Sequence, residues 1–139
     1  MTAPVSRSPI HPVQKAIYQR LTADTILMAA LTGGVHDQVP EDKVHPYLRI
    51  GDHLSVPDND HGGFGREITV TLHVWTRSRG NTQGQTIAGR LIELLDHQHL
   101  PVEGHNVVSV RHEFDQALTD PNPEIRHHVV RFRIVTSQQ

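Results

Sequence analysis

The sequence predicts an α+β domain, a mostly antiparallel sheet of four to five strands with two main helices packed on one face. Three observations predict it. First, Ile68, Val70, Leu72 and Val74 alternate with Glu67, Thr69, Thr71, His73 and Trp75, the period-two signature of a half-buried strand. Second, the period changes directly after Arg79-Gly80-Asn81. Ile87, Leu91, Leu94 and Leu95 then fall at helical spacing over residues 82–98. Third, two more alternating segments follow, separated by the turn sequence Thr119-Asp120-Pro121-Asn122-Pro123. Two hairpins split by a helix favour an antiparallel sheet with the helices on one side.

The elements follow in order. Residues 1–10 are rich in Ser, Thr and Pro and are expected to be a flexible segment, with residues 11–139 as a single domain. Pro12 sits where a first helical turn accepts proline. Val13, Ala16, Ile17 and Leu21 give that helix a core-facing stripe, with Lys15 and Arg20 off it. Asp24 or Thr25 caps a second short helix through Ile26, Leu27 and Leu31, closed by Gly33-Gly34. Residues 35–46, with Pro40 and Pro46, read as a loop. Residues 47–54 read as a strand broken at Pro57, and residues 55–65 as the mobile tip of a hairpin. Past a turn at Pro101 and Gly104, residues 107–118 read as a strand with Val108, Val110 and Phe114 on one face. In the last strand, residues 125–136, Val130, Phe132 and Ile134 take one face, and Val129, Arg131 and Arg133 the other.

Composition narrows the function. A chain of 139 residues can bury a core without staples. With no cysteine, disulfides and thiolate metal sites are excluded, which suits a reducing compartment. No apolar run approaches the roughly 20 residues of a membrane span, and the N-terminal residues lack the apolar core of a secretion signal. The expected site of synthesis is the cytoplasm, with no membrane partner. A net charge of −2 and a pI near 6.6 give no global pull toward nucleic acid. Eleven arginines stand against two lysines, which reads first as coding bias and second as a need for bidentate contacts.

No chemistry-bearing constellation appears. The 12 histidines lack the local spacing of a zinc site, so no metal ligand is assigned. Their bulk effect is more telling: with all of them protonated, 25 cations face 15 acids, a swing from −2 to +10. Any assembly is therefore expected to weaken near pH 5, and the same oligomer by native mass spectrometry at pH 5 and pH 7.5 would refute this. Ser109, His112 and Asp115 resemble a triad in print. On a regular strand Ser109 and Asp115 would share one face and His112 the other, so no triad forms. Gly62-Gly63-Phe64-Gly65 lacks the lysine and spacing of a phosphate loop and precedes a strand, so no cofactor site is assigned. It reads as a flexible tip, or as one that orders on a partner with Phe64 as its anchor. Arg131 and Arg133 share one strand face, and Arg77 and Arg79 another. With six aromatics in the chain, and Trp75 the single plausible base platform, solvated faces or inter-subunit ion pairs fit better than DNA contacts.

Taken in order, these segments resemble the tail-completion (tail terminator, or tail-to-head joining) family of long-tailed bacteriophages. The carriers are LTADTILMAALTGGVHDQVPEDKVHPYLRIGD, ITVTLHVWTRSRGNTQGQTIAGRLIELLD and LPVEGHNVVSVRHEFDQALTDPNPEIRHHVVRFRIVT, which together cover about residues 11–136. The resemblance implies a non-enzymatic virion protein, without catalytic residues, cofactor or metal. It implies a homo-oligomeric ring, a hexamer, at the head-proximal end of the tail tube. There it would meet the tube protein and a head-completion (stopper) protein, while DNA passes through the lumen without being read. A ring subunit needs two different surfaces complementary to each other, which a mixed sheet face and a hairpin tip can supply. The candidate interface residues are Phe64, Arg66, Trp75, Arg77, Arg131 and Arg133. A neck or stopper component is the alternative within the particle. From other classes, a small α+β hydrolase would need convergent polar groups that the sequence does not supply, and a nucleic-acid-binding domain is disfavoured by the acidic balance.

Overall fold

A computed structural model describes residues 3–60 and 62–139. Among them, the order is α1 (Ile10–Thr22), α2 (Thr25–Ala30), β1 (Val35–His36), β2 (Tyr47–Pro57), β3 (Gly65–Arg77), α3 (Thr82–Leu95), β4 (His105–Leu118) and β5 (Ile125–Gln138). The expected α+β class holds with two refinements. The sheet is mixed, in the order β1-β2-β3-β5-β4, and the helices number three. The extra strand β1 pairs parallel to β2 through Val35 and His36, inside the segment expected to be loop. No helix among the described residues is long and apolar enough to cross a membrane.

Strand parity explains the layering. On β3 the even residues Ile68, Val70, Leu72 and Val74 are all fully buried beneath the helices. Their cross-strand neighbours Ile134, Phe132 and Val130 on β5, and Leu72's partner Ile50 on β2, share that face. Val13, Ala16, Ile17 and Leu21 from α1, Leu27 from α2, and Ile87, Ala88, Leu91 and Leu95 from α3 complete the core. The odd residues of β3 and β5 point the other way, to a sheet face that no helix or strand among the described residues covers.

Polar staples fix the helix layer. Asp24 caps α2 by accepting from the Leu27 amide at 2.8 Å, and it receives Arg90 of α3 at 2.6 and 2.9 Å. That fork holds the Asp24 carboxyl below its ordinary pKa and raises that of Arg90. Arg20 of α1 donates to the carbonyls of Leu94 (3.0 Å) and His99 (2.6 Å), so a cation sits at the C-terminal end of α3. Gly84 lets α3 approach β5 closely, because a Cβ there would lie 2.2 Å from the imidazole of His128.

Two bulges in β4 correct the expected parity. The register shifts between Val107 and Ser109 and again between His112 and Phe114. Val110 is buried, whereas Val108 is 66% and Phe114 41% exposed, so the three do not share a face. The second bulge also brings Asp115 round to the helix side, opposite Val130, where its Oδ1 lies 2.9 Å from His112 Nε2. Ser109, opposite Val135, stays on the open face. The triad is excluded, but it is the serine that stands apart rather than the histidine.

Candidate assembly surface

The uncovered face of the sheet holds the most organised polar cluster of the described residues. It is built at a bulge in β2 between Gly51 and Leu54, where Asp52 adopts φ +52°. This left-handed turn is tolerable for aspartate and swings its carboxylate over β3. Asp52 Oδ2 lies 2.7 Å from His73 Nε2, and His73 Nδ1 lies 2.8 Å from His127 Nε2 on β5. Arg49 approaches Asp52 at 3.6 Å. Trp75 stacks on His127 with ring centroids 3.7 Å apart and planes within 10°, and Tyr47 stacks beyond Trp75 at 6.4 Å. Side chains of β2, β3 and β5 are thus tied across the bare face.

The electrostatics follow from this packing. The hydrogen bond from His73 holds the Asp52 carboxyl below its usual range. Burial, reinforced by the neighbouring His73, pushes His127 down to about 4. One hydrogen fills the His73–His127 contact, so that contact is incompatible with full protonation of both rings. The arrangement has the carboxylate–imidazole order of a relay but no hydroxyl or thiol at its end. It therefore ties strands together and has no nucleophile to activate. Among the described residues no group of three His, Cys, Asp or Glu converges to hold a metal ion.

The sequence-derived interface residues scatter over this frame. Trp75, Arg77, Arg131 and Arg133 lie on the open face through the pairs Trp75↔His127 and Thr71↔Arg131 and their neighbours. Arg77 and Arg79 both approach Glu124 at 3.7 Å. Arg66 lies on the opposite side, on the even parity of β3, and donates to the Ser6 hydroxyl at 3.2 Å. Phe64 is half-buried at the base of the hairpin tip, where its carbonyl accepts from the Gln138 amide at 2.8 Å. Gln138 also holds the N-terminal segment, through Arg7 N (2.8 Å) and Val5 O (2.7 Å). Sequence reasoning missed the Asp52–His73–His127 chain. Its sole advance signal was Gly51-Asp52 inside a strand, the mark of a bulge.

On the helix side, a groove of about 640 Å³ runs between α1 and the turn before β4. Lys15 and Glu103 face each other across it at 4.0 Å, with His99 and His105 on its walls. Burial lowers the pKa of His105. No nucleophile with a positioned base lines it.

Comparison with known proteins assigns the family. The family described as "Tail completion protein gp17" matches residues 15–137. Tail completion protein gp17 of Bacillus phage SPP1 is 30% identical over 121 residues, spanning 87% of this chain and 89% of that protein. The solved structure of bacteriophage SPP1 gp17 aligns with TM-score 0.63 and 26% identity, over 93% of this chain and 90% of that one. A chain in the virion of a native gene transfer agent particle shares the fold, with TM-score 0.87 and 22% identity over 95% and 99% of the two chains. With the match spanning β1 to β4, all but the last residue of β5, and all of α2 and α3, the chain belongs to the tail completion protein gp17 family, structural components of phage virions and not enzymes.

Proposed function

We propose that this chain is one subunit of a closed ring, a hexamer, seated at the head-proximal end of a phage or gene-transfer-particle tail. The ring ends growth of the tail tube and joins tail to head. The observation that carries this reading is the family match over residues 15–137, which takes in the bare sheet face as well as the core. A ring is closed by a heterologous contact, so each copy needs two unlike patches. The open face and the β2–β3 tip are two such patches at separate places on the domain. On this reading the tube protein meets one rim and a head-completion protein the other. DNA passes through the lumen by shape, in keeping with a chain of net charge −2 that carries no large cationic excess.

Electron microscopy of particles assembled without this chain tests the role. Overlong tails detached from filled heads are expected. Tails of normal length lacking heads would move the chain to the stopper position, and intact virions would end the proposal. Native mass spectrometry of the assembled protein gives the copy number, expected to be six.

A further inference from the structure

We infer that Arg111, Arg131 and Arg133 on the open face receive the acidic hairpin tip, Asp58 and Asp60, of a second copy of this chain. The inference rests on the ring reading and names the contact that would close it.

The arginines are short of partners. Arg111 and Arg133 stand directly opposite each other on β4 and β5, and Arg131 faces Phe114 in the next row. Like charges facing across a ladder repel. The counter-charges are loose, with Glu67 3.8 Å from Arg133 and Glu113 3.8 Å from Arg131. Among the described residues Arg111 donates only to the carbonyl of its neighbour Val110, at 2.9 Å. The Nε of Arg131 is buried and has no acceptor among the described residues. Arg20 and Arg90 of the helix layer, by contrast, are engaged at 2.6 to 3.0 Å. With side chains 35% and 49% exposed, Arg131 and Arg133 thus keep donor capacity beyond the buried Nε for a carboxylate brought from outside.

The tip offers the complement. Residues 50–65 contain Asp52, Asp58 and Asp60 and no lysine or arginine. Asp52 is taken by His73, whereas Asp58 and Asp60 are exposed and form no ion pair among the described residues. The described residues of the tip are held by hydrogen bonds. The Asp58 amide donates to Gly65 O at 2.9 Å, Asn59 Oδ1 accepts from Gly65 N at 3.1 Å, and Asp60 Oδ1 accepts from Gly62 N at 2.8 Å.

Within one chain the two patches do not meet. Gly65, where the tip begins, pairs with Ser137, while Arg133 sits opposite Thr69. Four residues of strand separate them, about 13 Å, and the tip lies beyond Gly65. A head-to-tail neighbour removes that separation, and repetition of one such contact closes a ring. A polynucleotide fits the patch less well, because Glu67 and Glu113 share it and Phe114 is its single aromatic.

The absence of native cysteine makes the contact testable. Gly62→Cys with Thr69→Cys leaves every charge in place and sets one thiol on the tip and one beside Arg133. Treating assembled particles with a short bis-maleimide should give a ladder of covalent multimers that ends at the ring's copy number, and neither single variant should give one. In addition, R131E/R133E and D58K/D60K should each lose the assembled form, and the combined chain should regain it. A complete ring by native mass spectrometry with no ladder would overturn the contact and leave the ring reading standing. A single copy per particle would remove both. A short DNA duplex bound by the unaltered chain and released by R131E/R133E, without a ladder, would assign the patch to nucleic acid and overturn the inference.

Discussion

Replacing Gly84 by alanine sets two effects against each other, and the structure decides the sign. Alanine is the better helix former by about 1 kcal/mol in a helix interior, an upper bound for Gly84, the third residue of α3. A Cβ at position 84 would lie 2.2 Å from both Cε1 and Nδ1 of His128 and 2.8 Å from Nε2. Carbon atoms in favourable contact sit about 3.5 to 4.0 Å apart, so ring and helix must separate by more than about 1 Å. His128 is 4% exposed and stands on β5, which is hydrogen-bonded to β3 on one side and β4 on the other. Burial leaves the ring little room to swing aside. Overpacking of this kind costs about 1–3 kcal/mol, and the overlap points to the upper part of that range. The net expectation is a loss of about 1–2 kcal/mol. Urea unfolding at fixed protein concentration, followed through the fluorescence of the sole tryptophan, Trp75, measures it. In a His128→Ala background the methyl group has room, and the same Gly84→Ala change should become stabilising by up to about 1 kcal/mol. A higher midpoint for Gly84→Ala in the native background, or an equal cost in both backgrounds, would refute the packing argument.

Phe132→Ala removes a fully buried ring between β3 and β4 and should cost about 3–5 kcal/mol in the same unfolding assay. Burial lowers the pKa of His45, His53, His105, His127 and His128 below 6.5, so the unfolded chain binds more protons in that range. Their contribution is complete above pH 6.5 and is lost as pH falls toward the His127 value of about 4. Thermal melts between pH 7.5 and 4.5 should therefore shift downward, less steeply in His127→Gln, and a flat profile would contradict the burial of these rings. Asp24→Ala and Arg90→Ala should each destabilise, and the double variant should lose less than the two losses together, because they share one fork.

Legibility in the sequence tracked the range of the interactions. The alternation over residues 67–75 and the stripes Val13–Ala16–Ile17–Leu21 and Ile87–Leu91–Leu94–Leu95 need only local geometry, and the structure places them as read, with Leu94 partly buried, although β3 stops at Arg77 and α3 at Leu95. Asp24 was likewise visible as one of two candidate caps, beside Thr25, because its carboxylate lies three residues from the amide it accepts from. The strand β1 was not visible. Two residues carry no period, and Val35–His36 is held by contacts from afar, through Gly33 N to Pro46 O at 2.8 Å and Leu48 N to Gly34 O at 3.0 Å. The parity of β4 failed for a different reason, since each inserted residue flips every side chain beyond it and no residue type announces the insertion. The cluster on the bare face was hidden by register: His73 and His127 are 54 positions apart in the chain and meet because β3 and β5 are adjacent. Arg66 shows the limit of residue type alone, since its even position turns it to the side where the N-terminal segment lies.

The outermost strand β4 has a consequence for how copies accumulate safely before they are used. A flat border of 14 residues would be a template on which backbone after backbone could stack without end. The irregularities after Val107 and after His112 leave only Ser109–His112 as a regular run between them, and its outer border is already taken: Val110 O accepts from His97 N at 3.0 Å and His112 N donates to Asp96 Oδ1 at 2.9 Å. Main-chain zipping along that border is interrupted before it gains length, and fibre formation with it. What is left for recognition is side-chain matching, which can saturate at a fixed number of partners.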